Sequence, residues 1–323
     1  MNQHYIGLDI GGTKCAAIIG DASGTIIQRI AFVSGSDIAP QKILSEFYVA
    51  IDSLLCTYAD GLMPCAIGIS CGGPLDSKRG VIQCPPNLPL WDEIPICELM
   101  AVRYHCPVFL QNDANACAMA EWKFGAGIGT QNMIFLTFGT GLGAGLILNG
   151  QLYEGTNGMA GEIGHIRLAA DGPIGYGKAG SFEGFCSGGG IRQLGIAMLR
   201  EQYTKGQSVD FWPETKPLES ITAKEICVAA QDGSEIAQSI LNCSASYLGA
   251  GLAVLLDILN PECIVIGSIF TRAEKYFRPT MEAMIAQEAL IQSAKKCRIV
   301  PAILGDSIGD VAALTIAVMN FKG

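Results

Sequence analysis

The feature of this sequence that most constrains its fold is a strand–glycine turn–strand unit that occurs twice. In the first copy, the apolar segment Tyr5–Ile10 runs into Gly11-Gly12-Thr13-Lys14 before apolar residues resume. In the second copy, Met133–Phe138 runs into Gly139–Gly143 in the same way. Short apolar segments bounded by glycine predict buried strands. Because further strands alternate with helical segments such as Pro40–Tyr58, the sequence predicts an α/β fold in which one supersecondary unit is duplicated.

Composition narrows the class of protein. Half of the 323 residues are hydrophobic and 40 are glycine, which is enough apolar material for a large core. The formal net charge of −9 disfavours binding to a phosphate backbone, so we expect no nucleic-acid partner. The thirteen cysteines form no Cys-x-x-Cys pair, and this pattern favours reduced, buried thiols over disulfides or zinc.

The hydrophobic segments predict no membrane span and a cytoplasmic location. The longest stretches without a charge, Phe124–Tyr153 and Ile236–Leu256, are interrupted by glycines or by polar residues. Residues Met1–Ile10 contain no basic segment followed by a long apolar one, so no signal peptide is expected.

The two glycine turns are candidate phosphate-binding loops. Glycine lets the backbone approach a ligand closely, and consecutive N–H groups hold anions. Thr13 and Lys14 add a hydroxyl and a charge to the first turn, and Asp9 is placed to hold a hydrated Mg²⁺ beside the phosphates. A plain β-hairpin turn explains either motif alone, but two such turns in equivalent places favour two loops that bind one polyphosphate. The first turn is neither a P-loop nor a dinucleotide fingerprint, since a strand follows it.

Three further places carry polar groups suited to a sugar. Asp113 follows a buried strand and begins a helix, where it is either an N-cap or a general base that accepts a proton from a hydroxyl. Glu162 and His165 stand three residues apart in Gly161-Glu162-Ile163-Gly164-His165, which is either a local pair or a binding site for vicinal hydroxyls. Glu183 is a third candidate hydrogen-bond acceptor.

Together these segments resemble the ROK family (repressors, open reading frames, kinases). The resemblance extends from Asp9-Ile10-Gly11-Gly12-Thr13-Lys14 to Leu304-Gly305-Asp306, and its most specific part is residues 136–165. It implies a two-lobed actin-like, hexokinase-like (ribonuclease H-like) α/β fold with a duplicated core. The N-terminal lobe would comprise residues 1–118 and 305–323, and the C-terminal lobe residues 119–304.

The resemblance also implies ATP and Mg²⁺ as cofactors, a sugar as substrate in a cleft between the lobes, and a homodimer. Positions that contact ATP correspond to Asp9, Gly11, Gly12, Thr13, Lys14, Thr140, Gly141, Gly143, Gly267 and Ser268. Positions that contact sugar hydroxyls correspond to Gly73, Asn87, Asn112, Asp113, Glu162, His165 and Glu183. Asp113 falls on the catalytic base.

One segment departs from the family pattern. Where family members carry the cysteines of a structural zinc site, this chain has Ile174, Tyr176 and Ser181. These side chains cannot form a thiolate site, and Cys186 nearby is a single thiol, so we expect no zinc. A small apolar cluster around Ile174 and Tyr176 is expected to hold the loop instead.

The sequence therefore predicts an ATP-dependent kinase of a hexose hydroxyl, most simply the 6-OH of glucose, with Asp113 as the general base. N-acetylmannosamine, fructose, allose and a β-glucoside stay open as substrates. The alternative is a non-catalytic sugar-binding regulator. Repressors of the family carry an N-terminal helix-turn-helix, for which the motif beginning at Asp9 leaves no room, and Asp113 favours catalysis.

Overall fold

The computed structural model describes residues 3–322, and the chain divides into two compact units. Unit 1 comprises the chain up to Gly129, residues Gly145–Ala160 and the chain from Ile303 onward, whereas unit 2 comprises Thr130–Ala144 and Gly161–Ala302. The lobe boundaries expected at residues 118/119 and 304/305 stay predictions, and their terminal residues 1, 2 and 323 lie outside the described residues.

Short strands supply two five-stranded sheets and two small hairpins. The strands are β1 (Tyr5–Ile10), β2 (Lys14–Gly20), β3 (Ile26–Val33), β4 (Ile67–Cys71), β5 (Leu75–Asp76), β6 (Val81–Ile82), β7 (Val108–Asn112), β8 (Met133–Phe138), β9 (Leu142–Leu148), β10 (Gln151–Leu152), β11 (Ile174–Gly175), β12 (Lys178–Ala179), β13 (Cys263–Ile266) and β14 (Arg298–Pro301).

Helices cover the sheets. They are α1 (Pro40–Tyr58), α2 (Ile96–Tyr104), α3 (Asp113–Phe124), α4 (Phe182–Phe185), α5 (Gly188–Thr204), α6 (Ala223–Gln231), α7 (Glu235–Leu259), α8 (Ile269–Glu288), α9 (Ile291–Ala294) and α10 (Ile308–Asn320). Single 3₁₀ turns lie at Ile163–His165, Leu218–Ser220 and Gly305–Ser307.

The two sheets share one strand order, which confirms the predicted duplication. The first sheet runs β3-β2-β1-β4-β7. In it β2 is antiparallel to both β1 and β3, and β4 and β7 are parallel to β1. The second runs β10-β9-β8-β13-β14, with β13 and β14 parallel to β8. Parallel strands are buried on both faces, which explains why every residue of β4 and β13 is buried.

The helix α7 is long and apolar enough, by length and composition, to cross a membrane. Within unit 2 most of its most apolar stretch is buried, with Ile240, Leu248 and Leu252 fully enclosed. It packs along α8 and against α6 and α5. The core of unit 2 therefore accounts for its apolar length.

The helix α5 is absent from the sequence-based expectation. It begins with Gly188-Gly189-Gly190, and glycine is a poor helix former, so its first turn resembles a loop in the sequence. Ser187 compensates by capping the helix, because its hydroxyl accepts a hydrogen bond from the Gly190 amide at 3.0 Å.

Candidate active site

In unit 1 the candidate residues gather at the carboxyl edge of the first sheet. Ile10 pairs with Cys71, and Cys71 pairs with Asn112, so β1, β4 and β7 end side by side. The residues that follow these strands therefore share one edge, which is where ligands bind in parallel α/β sheets.

The first glycine turn packs directly on the loop that carries Asn87. A Cβ on Gly12 would lie 2.5 Å from the Asn87 Cβ, so a side chain at position 12 would displace this loop. The Gly11 amide donates to the Lys14 carbonyl at 3.2 Å, and the Ser34 hydroxyl donates to the Gly11 carbonyl at 2.5 Å. The candidate phosphate turn and a candidate sugar residue are thus immediate neighbours.

The carboxyl group of Asp9 is largely buried and has two other carboxyl groups, Asp310 and Asp113, near it. Burial raises its pKa to about 6, and repulsion from Asp310 and Asp113 adds to this effect, while Arg29 and Lys14 oppose it. A Cβ on Gly309, in the first turn of α10, would lie 3.1 Å from the Asp9 Oδ2, so this glycine leaves room for the carboxyl group. The charge of the candidate base, Asp113, therefore acts on the candidate metal ligand, Asp9.

These residues suit a hydrated Mg²⁺ better than a closed metal cage. Among residues 3–322, no group of three or more His, Cys, Asp or Glu side chains is arranged to hold a metal ion. Mg²⁺ keeps several waters and commonly binds through one or two carboxylates and the phosphates of a substrate. A cation would also relieve the repulsion that raises the Asp9 pKa, so Asp9 fits the predicted contact through water.

Asn112 and Asp113 occupy the junction between β7 and α3. The N-cap is Asn112, whose Oδ1 accepts from the Ala114 amide at 3.0 Å, and Asp113 is the first helical residue. The Asp113 Oδ1 also accepts from the Ala114 amide, at 2.8 Å. A Cβ on Gly72 would lie 4.0 Å from the Asp113 Oδ2, and one on Gly73 would lie 3.4 Å from the Asn112 Nδ2. Asn112, and not Asp113, is therefore the N-cap residue of α3.

In unit 2 the second glycine turn lies beside Gly267 and Ser268. The Gly267 amide donates to the Leu136 carbonyl at 3.0 Å, and a Cβ on Gly139 would lie 3.3 Å from the Ser268 Oγ. Ser268 has a φ of 59°, a conformation that side chains rarely adopt. The predicted phosphate turn and the predicted adenosine residues are thus adjacent.

The sequence analysis missed the start of α5 as part of this site. The Gly188 amide donates to the Gly139 carbonyl at 2.8 Å, and a Cβ on Gly189 would lie 3.9 Å from the Thr140 carbonyl. A helix N-terminus next to the candidate phosphate turn adds to the positive potential there. The signal that could have revealed it is Ser187, an N-cap residue directly before three glycines.

Glu183 is bonded to the second turn. Its Oε2 accepts from the Leu142 amide at 3.0 Å, and a Cβ on Gly141 would lie 2.8 Å from the same oxygen. Glycine at 164 and at 175 leaves room for the Glu183 Cβ, since side chains there would lie within 3.2 Å of it. The contact with the candidate phosphate turn was not predicted from the sequence.

Glu162 and His165 are exposed; Glu162 directly precedes a single 3₁₀ turn and His165 is its last residue. Gly161, directly before them, has a φ of +93°, and a Cβ there would lie 2.0 Å from the Ala144 carbonyl. The ring of His165 meets the ring of Tyr176 edge-on with centroids 5.3 Å apart, and the Lys178 ammonium donates to the His165 carbonyl at 2.6 Å. Glycine at 161 therefore fixes the path of the segment that presents both side chains.

The expectation of an apolar cluster around Ile174 and Tyr176 is wrong, because both side chains are exposed. The segment is a β-hairpin in which the two-residue turn Tyr176-Gly177 joins β11 and β12. Both turn residues have positive φ, as a type I′ turn requires. Gln193 donates to the Ile174 carbonyl and accepts from its amide, both at 2.8 Å. Hydrogen bonds hold the loop, since the polypeptide there has too few side chains to enclose an apolar cluster.

The remaining candidates fall into the same two groups. Thr13 and the side chain of Lys14 are exposed at the first turn, and Thr140 is exposed at the second. The Gly143 amide donates to the Thr137 hydroxyl at 2.9 Å, which fixes the end of the second turn.

Comparison with known proteins identifies the family. The model of the ROK family matches residues 5–319. The chain is 31% identical to the glucokinase of Thermotoga maritima over 282 residues, which cover 87% of this chain and 86% of that protein. It is 28% identical to the N-acetylglucosamine repressor of Escherichia coli O6:H1, covering 90% of this chain and 69% of the repressor.

A solved structure with a similar fold is that of a ROK family glucokinase from Streptomyces griseus, determined in complex with glucose and AMPPNP. It matches with a TM-score of 0.76 at 28% identity, and the match covers 98% of this chain and 100% of that one. The fold is thus the actin-like, hexokinase-like α/β fold predicted from the sequence, and the chain belongs to the ROK family.

Proposed function

We propose that this chain is an ATP-dependent sugar kinase that transfers the γ-phosphoryl group to the 6-OH of a hexose. The observation that carries the proposal is the meeting of the first glycine turn, Asp9, Asn87 and Asp113 at the edge of one sheet. A phosphate-binding turn, a metal-binding carboxylate and a general base are the parts that phosphoryl transfer needs together. The kinase relatives support the same activity.

In the proposed reaction, Asp113 accepts the proton of the attacking hydroxyl. The hydroxyl oxygen bonds to the γ-phosphorus, the bond to the β,γ-bridging oxygen breaks, and ADP leaves. The N–H groups of the turns at Gly11–Gly12 and Gly139–Gly143 stabilise the charge on the phosphates. Asp9 would hold a hydrated Mg²⁺, which would neutralise part of that charge. Gly267 and Ser268 contact the adenosine.

Glucose is the proposed substrate. The residues proposed to bind it are Gly73, Asn87, Asn112, Glu162, His165 and Glu183, since carboxylates, amides and an imidazole provide acceptors and donors for hydroxyl groups. The glucokinase relatives support this choice. N-acetylmannosamine, fructose, allose and a β-glucoside are the competing substrates. We further propose a cytoplasmic homodimer that binds neither nucleic acid nor membrane.

The Asp113→Asn variant tests the role of the base. The amide keeps the oxygen that accepts from the Ala114 amide, so glucose should still bind, while phosphoryl transfer is lost. Product analysis by ³¹P NMR identifies the hydroxyl that wild type phosphorylates. Near-native turnover in the variant would contradict the assignment of Asp113.

A second candidate function is a non-catalytic sugar-binding regulator, which the repressor relatives favour. It predicts sugar binding without ADP release in the presence of Mg·ATP. Glucose-dependent turnover that disappears in Asp113→Asn would exclude it.

A further inference from the structure

A hydrogen-bond network in unit 1 leads from the half-buried Glu154, through the buried Gln111, to the residues that present the candidate base. The Glu154 Oε1 accepts from the Gln111 Nε2 at 3.0 Å and from the Ser77 Oγ at 2.9 Å. The Gln111 Oε1 accepts from the Asn112 amide at 2.8 Å and from the Asn115 Nδ2 at 3.1 Å. Gln111 is 8% exposed and Asn115 is 3% exposed, so a hydrogen bond lost by either side chain would not be replaced by water and would destabilise the folded protein.

The carboxylate of Glu154 determines which way the Gln111 amide faces. An ionised carboxylate only accepts, so the NH₂ group of Gln111 must point at Glu154 and its oxygen must point at Asn112 and Asn115. The opposite orientation would place an NH₂ group against two donors and an oxygen against a carboxylate. In a buried site such contacts are costly, and therefore one orientation is selected.

The orientation of Gln111 matters because Asn112 and Asp113 follow it directly. The Gln111 oxygen holds the Asn112 amide, which is where β7 passes into α3. Asn112 then caps the helix through its own Oδ1, with its Nδ2 turned toward Gly73. The Asp113 carboxyl group leaves the backbone one residue further on, so a shift of the Gln111–Asn112 segment displaces it from the attacking hydroxyl.

We propose that Glu154 is a positioning residue that, through the Gln111 amide, sets the placement of Asn112 and Asp113 for phosphoryl transfer. The inference rests on the proposed function. Glu154 acts through Gln111 on residues proposed to contact the sugar. Its expected effect is therefore on kcat and on the sugar KM, with the KM for ATP unchanged.

The deciding experiment compares Gln111→Glu with the double variant Gln111→Glu/Glu154→Gln. The single variant sets two carboxylates against each other and breaks the network. The double variant restores the bonds in exchanged form. Glu at 111 accepts from Asn112, Asn115 and the Nε2 of the new amide at 154, and the Ser77 hydroxyl, which bonds the same position in wild type, accepts from that Nε2. We expect kcat to fall by between about tenfold and a hundredfold in the single variant and most of the loss to be recovered in the double variant.

Ser77→Ala is the matched control, because it removes the other bond to the same Glu154 oxygen and leaves the Gln111 amide in place. It should retain most of the wild-type kcat. Sugar-dependent ADP release by wild type is measured first, so its absence refutes the proposed function and is not counted against Glu154.

With an active wild type, unchanged kcat in Gln111→Glu would overturn the inference. So would a double variant as slow as the single one, or a Ser77→Ala variant that loses as much as Gln111→Glu. Should Gln111→Glu fail to fold, Glu154→Met decides instead, because it removes the acceptor without adding a charge. Wild-type kcat in Glu154→Met would equally overturn the inference.

Discussion

Replacing Asp9 by asparagine should stabilise the protein while removing its activity. Burial, together with the carboxylates of Asp310 and Asp113, raises the pKa of Asp9 from 3.8 to about 6 in the folded protein. At 1.36 kcal/mol per pKa unit, ionised Asp9 therefore lowers the free energy of unfolding by about 3 kcal/mol at neutral pH. Asparagine has the same shape without the charge, so most of this free energy should be regained.

The sign of the pH dependence follows from the raised pKa. Between pH 3.8 and 6 the folded protein binds a proton at Asp9 that the unfolded chain has released, so stability falls as the pH rises through this range. The stabilising effect of Asp9→Asn should therefore be absent below pH 4, grow up to pH 6 and be complete above it.

Chemical denaturation of wild type and Asp9→Asn between pH 4 and pH 8 measures this effect. Asp21→Asn is the control, because hydrogen bonds from Ser23 hold the pKa of Asp21 below its usual value and its neutralisation should not stabilise the protein. Phosphoryl transfer by Asp9→Asn should fall even though the protein is more stable, as expected where a functional carboxylate is buried. Equal stability of the variant and wild type at pH 8 would refute the reasoning.

Three other predictions follow from named contacts. Asp113→Asn should lower kcat between about 10²-fold and 10⁴-fold, the usual contribution of a general base, with little change in glucose affinity measured by calorimetry; a smaller loss would contradict its role. Gly161→Ala should destabilise the protein by more than about 1 kcal/mol, because it combines a φ of +93° with a Cβ only 2.0 Å from a carbonyl oxygen. Gly158→Ala, with a φ of +80° and open space around it, should cost less in the same thermal unfolding assay, and equal losses would show that the close contact is unimportant. Metal analysis of purified protein should find no stoichiometric zinc, and one zinc per chain would disprove that expectation.

The sequence predicted the elements of the fold where local pattern decides them. Each glycine turn lies between two apolar runs, so the duplicated strand unit follows from short-range order. The helix α5 did not, since three glycines at its start have low helix propensity and only the Ser187 cap and its packing favour a helix there.

Side-chain partners were predictable only in part. That Asn87 packs on Gly12, or that Glu183 bonds to the Leu142 amide, depends on contacts between distant segments that no local pattern specifies. The hairpin at Ile174–Ala179 shows the same limit: the apolar residues there predicted a small cluster, but their side chains are exposed.

The most direct test of the proposed kinase activity is ADP release with Mg·ATP across a panel of hexoses, amino sugars, N-acetylated sugars and β-glucosides. The proposed function predicts release that depends on one sugar, with glucose first among the candidates, and that disappears in Asp113→Asn. Sugar binding detected by thermal shift, with no ADP release for any sugar in the panel, would contradict the assignment as a kinase and favour a sugar-binding regulator.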